Sequence, residues 1–332
     1  MKRIGIILSI FLVLCLCGCS QAPEASLPTF CVPASTTPTS TVAPTVPIVP
    51  ETQEALVLQQ APPVVQTHAT VEPSGVLIQE GSGIVIDYSN TEQGYIMVLC
   101  REENTPRLKV RLQGPSATYT YNLTPTEWTA FPLSDENGHY QVTVYRNVEG
   151  SKYAAVLSLQ LDVTLEDPFA PFLRSNQYVN FDGAVKTVTQ AALLTTDITD
   201  PLEKVAVIYD YVVTTLTYDQ ELAATVKSGY LPDLDAVLEK QSGICFDYAA
   251  LMTGMLRSQG IPAKLVVGYA GSVYHAWISV WTESTGWVDG VIFFDGAAWQ
   301  RMDPTFASSS HRSPEIMEFI GNNTNYSAKY FY

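Results

Sequence analysis

The stretch Gln241-Ser242-Gly243-Ile244-Cys245-Phe246-Asp247-Tyr248-Ala249-Ala250-Leu251-Met252 is a loop that turns into a helix, with a cysteine at the turn. Tyr248, Leu251, Met252, Met255 and Leu256 recur at helical spacing and predict one buried face. Ser242 or Gly243 is expected to cap the start, because a short polar residue or glycine leaves the first-turn N–H groups satisfied. Gly260, followed by Pro262, marks the end. Cys245 then falls in the first turn. There the free N–H groups and the positive end of the helix dipole favour a thiolate over a thiol. The plain alternative is a small buried hydrophobe, the usual fate of a lone cysteine.

The chain begins with Lys2 and Arg3, an apolar run from Ile4 to Leu16, and Cys17-Gly18-Cys19. That pattern describes a secretory signal over residues 1–18. The run is shorter than the ~20 apolar residues a membrane span needs. Leu16-Cys17-Gly18-Cys19 resembles a bacterial lipobox. The resemblance implies cleavage before Cys19, a lipid on that residue, and a mature chain held on the extracytoplasmic face of the cell membrane. An ordinary cleaved signal without lipid is the alternative. Residues 19–74 are dominated by Pro, Thr, Ser, Val and Ala without apolar periodicity, and predict an extended, disordered tether. His68 and Cys31 lie there and carry no assigned chemistry. A net charge of −15 argues against nucleic acid or anionic lipid surfaces as main partners, since both reward a basic face.

Residues 75–170 predict a small β-sandwich-like domain. Short runs rich in Val, Ile, Leu and Tyr, such as Tyr95 to Cys100 and Tyr140 to Arg146, are separated by turn signals. Asn137-Gly138 is the strongest hairpin signal among them and puts His139 at a solvent-exposed loop end. With Cys19 lipidated, the mature chain keeps Cys31, Cys100 and Cys245, an odd number unlike a disulfide framework. From residue 171 to 332 the pattern becomes α+β. Lys186 to Thr196 is a first helix, and Asp200-Pro201-Leu202-Glu203 starts a second. Leu234 to Lys240 is a short amphipathic turn or helix leading into the cysteine helix. Ala263 to Tyr269, Val273 to Trp281 and Gly286 to Val288 are strands, and Val291 to Phe294 pairs with Ala298 to Met302 across Asp295-Gly296. Helices first and antiparallel strands afterwards indicate an α+β core in which the cysteine helix packs on a sheet. The aromatic Tyr330-Phe331-Tyr332 predicts docking onto the body.

Two further residues join Cys245. His275 shares a strand face with Val273, Trp277 and Trp281, among large apolar groups where an imidazole needs a partner. A core histidine bonded to backbone is the alternative. Asp303 ends the last strand before Pro304, and a turn-starting Asp-Pro is its alternative. A thiol at a helix start, an imidazole on one strand and a carboxylate on another can activate a cysteine nucleophile. The other histidines lie in the tether, at a β turn and in the tail, which leaves His275 as the base.

Gly243-Ile244-Cys245 with Tyr248-Ala249, Arg257-Ser258-Gln259-Gly260-Ile261-Pro262-Ala263-Lys264, Gly268-Tyr269, His275-Ala276-Trp277 and Asp303-Pro304-Thr305 resemble the core of the transglutaminase-like superfamily. Leu216-Thr217-Tyr218-Asp219 is similar to the helix end that precedes that core in bacterial members. The resemblance covers roughly residues 200–306. It implies a papain-like α+β fold and a catalytic triad of Cys245, His275 and Asp303. The chain between His275 and Asp303 is longer than in many members and adds a strand or hairpin. Asp289 and Asp295 flank glycines there and fit the carboxylate role less well. The Cys245 N–H and the Gln241 side chain are candidates for oxyanion stabilisation, and Tyr269, Tyr274 and Trp277 are candidate cleft walls.

The expected chemistry is cysteine-dependent acyl transfer or amide hydrolysis, as in a transglutaminase or a peptidase, on peptide or protein amides, with cell-wall peptide as a substrate suited to the location. No cofactor or metal is expected, because the histidines are few and unclustered and no EF-hand loop is present. The competing expectation is a non-catalytic surface-binding or wall-assembly scaffold that keeps a vestigial triad.

Overall fold

Eight strands come first: β1 (Ile78–Gly81), β2 (Ile84–Asp87), β3 (Tyr95–Cys100), β4 (Leu108–Gln113), β5 (Thr118–Leu123), β6 (Thr129–Pro132), β7 (Gly138–Glu149) and β8 (Lys152–Val163). This computed structural model describes residues 68–289, 291–294, 299–302, 305 and 325–332. The strands form two antiparallel four-stranded sheets, ordered β1-β2-β3-β6 and β5-β4-β7-β8. Alternation along β4 and β5 decides the buried face: Leu108, Val110 and Leu112 meet Tyr119, Tyr121 and Leu123 inside, while Arg111 and Gln113 stay outside. Cys100 is fully buried in β3, as its strand pattern predicts.

One turn differs from its sequence signal. Asn137-Gly138 does not close a hairpin. It is the crossing from one sheet to the other, because β6 pairs with β3 whereas Gly138 already pairs with Val163 of β8. The Asn137 side chain accepts a hydrogen bond from the Leu165 N–H at 2.8 Å, so a contact distant in sequence overrides the local turn preference. His139 therefore sits in a strand and not at a loop end, although it is exposed as expected, and its Nδ1 lies 3.0 Å from Asp162. The hairpin of this region is β7 to β8, turning at Gly150.

The helices are α1 (Val185–Leu194), α2 (Pro201–Thr215), α3 (Gln220–Thr225), α4 (Leu234–Lys240) and α5 (Cys245–Ser258). Aspartates start three of them. Asp200 accepts from the Leu202 and Glu203 N–H groups at the head of α2, Asp219 from Leu222 in α3, and Asp233 from Ala236 in α4. Helix α1 has no cap of its own. Asp235 of α4 supplies one, taking the Lys186 and Thr187 N–H groups and the Thr187 hydroxyl.

Two-residue strands β9 (Thr217–Tyr218) and β10 (Ser242–Gly243) pair in parallel just ahead of α5. The later strands are β11 (Ala263–Ala270), β12 (Val273–Thr282), β13 (Gly286–Asp289), β14 (Val291–Phe294), β15 (Trp299–Met302) and β16 (Tyr326–Phe331). The first sheet of this set runs β13-β12-β11-β16, and β14 pairs with β15 as the sequence pairing requires. Helix α5 is buried along its length from Asp247 to Ser258, with helices on one side and β11 and β12 on the other. Leu265, Val267, Ala276, Ile278 and Val280 of those strands share a core with Tyr248, Leu251, Met252, Met255 and Leu256. The result is an α+β core built on the cysteine helix. At its far end Gly260 takes φ +75°, and the Ile261 N–H reaches back to the Leu256 carbonyl at 3.1 Å.

The aromatic tail residues 326–331 form β16, an edge strand along β11, a tighter engagement than docking alone. β16 joins the two parts of the chain. The Ser134 hydroxyl donates to the Phe331 carbonyl at 2.7 Å, and Tyr119 of β5 packs on Tyr330 and Tyr332 with ring centres 5.6 Å apart. Gly268 permits the close approach of β16: a side chain there would overlap the Ser327 carbonyl oxygen and press on Trp277. Gly268→Ala is expected to destabilise the protein by about 2 kcal/mol or more, through overpacking against backbone. Thermal unfolding together with faster amide exchange in 326–331 would register it, and an unchanged melting temperature would contradict the packing described.

Candidate active site

Cys245 is the first residue of α5 and is half-buried. The cap differs from the sequence expectation. Neither Ser242 nor Gly243 caps the helix, because both are engaged in the β9–β10 bridge. Ile244 occupies the N-cap position, and Asp247 provides the side chain. Fully buried Asp247 reaches back to accept the Ile244 N–H at 2.8 Å and takes the Tyr230 hydroxyl at 2.7 Å. That is the carboxylate half of a capping box. It fixes the turn that carries Cys245.

Burial raises the Asp247 pKa, against the lowering influence of the Ile244 N–H and the Tyr230 hydroxyl. A carboxyl whose pKa rises on folding contributes most stability below its unfolded value and loses it as pH climbs through the folded value. Asp247→Asn is therefore expected to flatten the fall in stability as pH rises above the unfolded carboxyl value of about 4. Urea midpoints of the two proteins across a pH series check this, and parallel pH profiles would refute it.

His275 lies in β12, 5 % exposed, opposite Gly268 in register and with its ring 6.3 Å from that of Trp277. Helix α5 packs directly on β12. The residue before the histidine, Tyr274, is close enough to Cys245 for the two to interact electrostatically. Burial, then the phenols of Tyr330 and Tyr269, then the Cys245 thiol raise the Tyr274 pKa. The start of β12 and the head of α5 thus meet at one place. Asp303 and Cys19 lie outside the described residues.

Of the three candidate wall residues, Tyr274 (58 % exposed) and Tyr269 (36 %) form an edge-on pair with centres 5.5 Å apart beside the cysteine helix. Trp277 is buried and packs edge-on against Tyr326 of β16 at 5.2 Å. Sequence reasoning missed that β16 and Tyr178 extend this wall. Tyr178 packs between Phe246 and Tyr332 at 5.3 and 4.7 Å, and burial lifts its pKa to about 12. Gln241 is exposed and left-handed (φ 51°). Its carbonyl accepts from the Thr217 N–H at 2.9 Å, which pins the loop before Cys245.

A buried helix that presents a cysteine at its N-terminus, laid on an antiparallel sheet with a histidine in an adjacent strand, belongs to the papain-like class of α+β folds. Residues 189–304, about a third of the chain, match the transglutaminase-like superfamily, so this core is transglutaminase-like. The chain is 29% identical over 98 residues to a protein-glutamine gamma-glutamyltransferase of Pseudomonas aeruginosa, covering 25% of this chain and 13% of that protein. It is 30% identical over 135 residues to the uncharacterized protein YebA of Bacillus subtilis, covering 34% and 18%. It therefore spans less than a fifth of the length of these curated relatives. Among solved structures, the periplasmic domain of TgpA from Pseudomonas aeruginosa bound to ethylmercury aligns with 19% identity, 72% of this chain and 100% of that one, at a TM-score of 0.34. Red sea bream transglutaminase aligns with 15% identity, 69% and 53% coverage, at a TM-score of 0.28.

Proposed function

We propose that this protein is a cysteine-dependent acyl transferase or amide hydrolase acting on peptide or protein amides through Cys245, His275 and Asp303. The observation that carries the reading is the placement of Cys245. It is a half-buried thiol on the first residue of a fully packed helix whose head meets the strand of His275. In the proposed cycle the Cys245 sulfur attacks the amide carbonyl carbon while His275 takes the thiol proton. The C–N bond then breaks, and His275 returns the proton to the leaving amine or ammonia. The thioester is resolved by an incoming amine, which makes the enzyme a transferase, or by water, which makes it a hydrolase. Asp303 would hold the imidazole tautomer and stabilise its charge. The Cys245 N–H, in a first turn that lacks intrahelical acceptors, would face the oxyanion, with Gln241 as a second donor. The signal at residues 1–18 and a lipid on Cys19 would hold the enzyme on the extracytoplasmic face of the membrane, where cell-wall peptides and surface proteins are within reach.

The test offers glutamine-containing peptides and wall-peptide fragments to the mature protein, with and without a fluorescent primary amine. Ammonia release with amine incorporation supports transfer, and release without incorporation supports hydrolysis. Neither product from any amide would defeat the proposal and leave the scaffold reading in its place.

A further inference from the structure

A cleft of about 670 Å³ opens between the β-sandwich and the α+β core. That size falls in the range of small-ligand sites. Trp281 of β12 and Trp287 of β13 line it as a directly paired cross-strand couple, both half-exposed. Phe169 backs them, with its ring centre 4.3 Å from that of Trp281 and 5.9 Å from that of Trp287. The couple lies some six residues along β12 from His275, roughly 20 Å at strand rise, so it is separate from the Cys245 cleft.

The charges around the cleft select its ligand. Lys264 lines it with its ammonium 3.7 Å from the Trp287 ring centre, and the rings of Phe172 and Phe331 stand 4.7 and 5.2 Å away. The rings stabilise that cation. Asp135 and Glu136 also line the cleft. Two N–H groups and a hydroxyl, from Ser116 and Ala117, fix the Asp135 carboxylate, while Glu136 is exposed in a left-handed turn (φ 65°). A neutral ring with polarised C–H groups on its face and hydroxyls at its edge carries no charge into this mixed lining. Its C–H face suits the indole surface left exposed, and its hydroxyls can donate to the exposed Glu136 carboxylate.

We propose that the Trp281–Trp287 cleft is a binding site for neutral carbohydrate, distinct from the site at Cys245. A glycan held there would be positioned by the same sheet that carries His275.

Titration of the mature protein with N,N′,N″-triacetylchitotriose and with cellotriose, followed by tryptophan emission, tests this. At least one sugar is expected to give a saturable change. Trp281→Ala and Trp287→Ala should each weaken it by about tenfold or more, equal to ~1.4 kcal/mol. Glu136→Ala, an exposed substitution that leaves the core untouched, should weaken it several-fold and guards against a variant that merely misfolds. The zwitterion alanyl-alanine is the control. Three results would overturn the proposal: no saturable response to either sugar up to about 10 mM, equal affinity in all three variants, or a response to the dipeptide alone. Because the readout is binding, none of them bears on the acyl-transfer reading.

Discussion

Cys245→Ala is expected to abolish amide turnover, with a loss of at least about ten-thousandfold, while leaving the melting temperature close to that of the parent. A nucleophile removed from a group of residues that act as a unit takes nearly all of the rate with it. The structural cost is small because Cys245 is only half-buried and the turn is fixed by Asp247 and Tyr230. His275→Ala should cost a similar amount in turnover and should also change the thiol itself. In the parent, iodoacetamide should alkylate Cys245 readily, because the proposed base takes the thiol proton. In the His275 variant that reactivity should fall sharply. Cys100, fully buried in β3, provides an inert internal reference. If the parent and variant rates coincide, His275 is not the base, and the proton acceptor lies elsewhere.

The largest stability effect is expected at Arg257, on the last turn of α5. Its guanidinium is fully buried and donates to three backbone carbonyls: Ala263 at 2.9 Å, Arg174 at 2.7 Å and Tyr332 at 2.6 Å. Burial pulls its pKa down to about 9, so it remains charged at neutral pH. Those acceptors come from the first residue of β11, the segment after the β-sandwich, and the residue that follows β16. One planar fork therefore ties three separate parts of the chain together. Arg257→Met keeps the volume but leaves those carbonyls buried without their donors. The expected cost is about 3–5 kcal/mol, a drop in melting temperature on the order of 10 °C. Arg257→Lys should recover only part of it, since a single ammonium cannot serve three diverging acceptors. A melting temperature within a degree or two of the parent in both variants would mean that the fork is dispensable.

Much of this architecture was legible because its signals are local. Asp200-Pro201 predicts the head of α2 from two residues, Leu234 to Lys240 reads as α4 without change, and the spacing of Tyr248, Leu251, Met252, Met255 and Leu256 marks the buried face of α5. The position of Cys245 on the first turn followed from the same periodicity. Signals that depend on a distant partner were lost. The Asn137-Gly138 turn reads as a hairpin until Leu165 claims its side chain, and β16 reads as an aromatic tail until Gly268 opens room beside β11. The cap of α5 is hidden for a similar reason. Tyr230, which holds Asp247, lies in a loop whose sequence announces no role.

The seam at β16 has a consequence for how the chain is made. The Ser134–Phe331 bond spans 197 residues, and the rings of Tyr119 and Tyr121 wait for Tyr332 over a similar interval. During synthesis the first sheets and the cysteine helix must therefore emerge and collapse with one shared apolar wall still open. Such distant closures slow folding and prolong exposure of sticky surface.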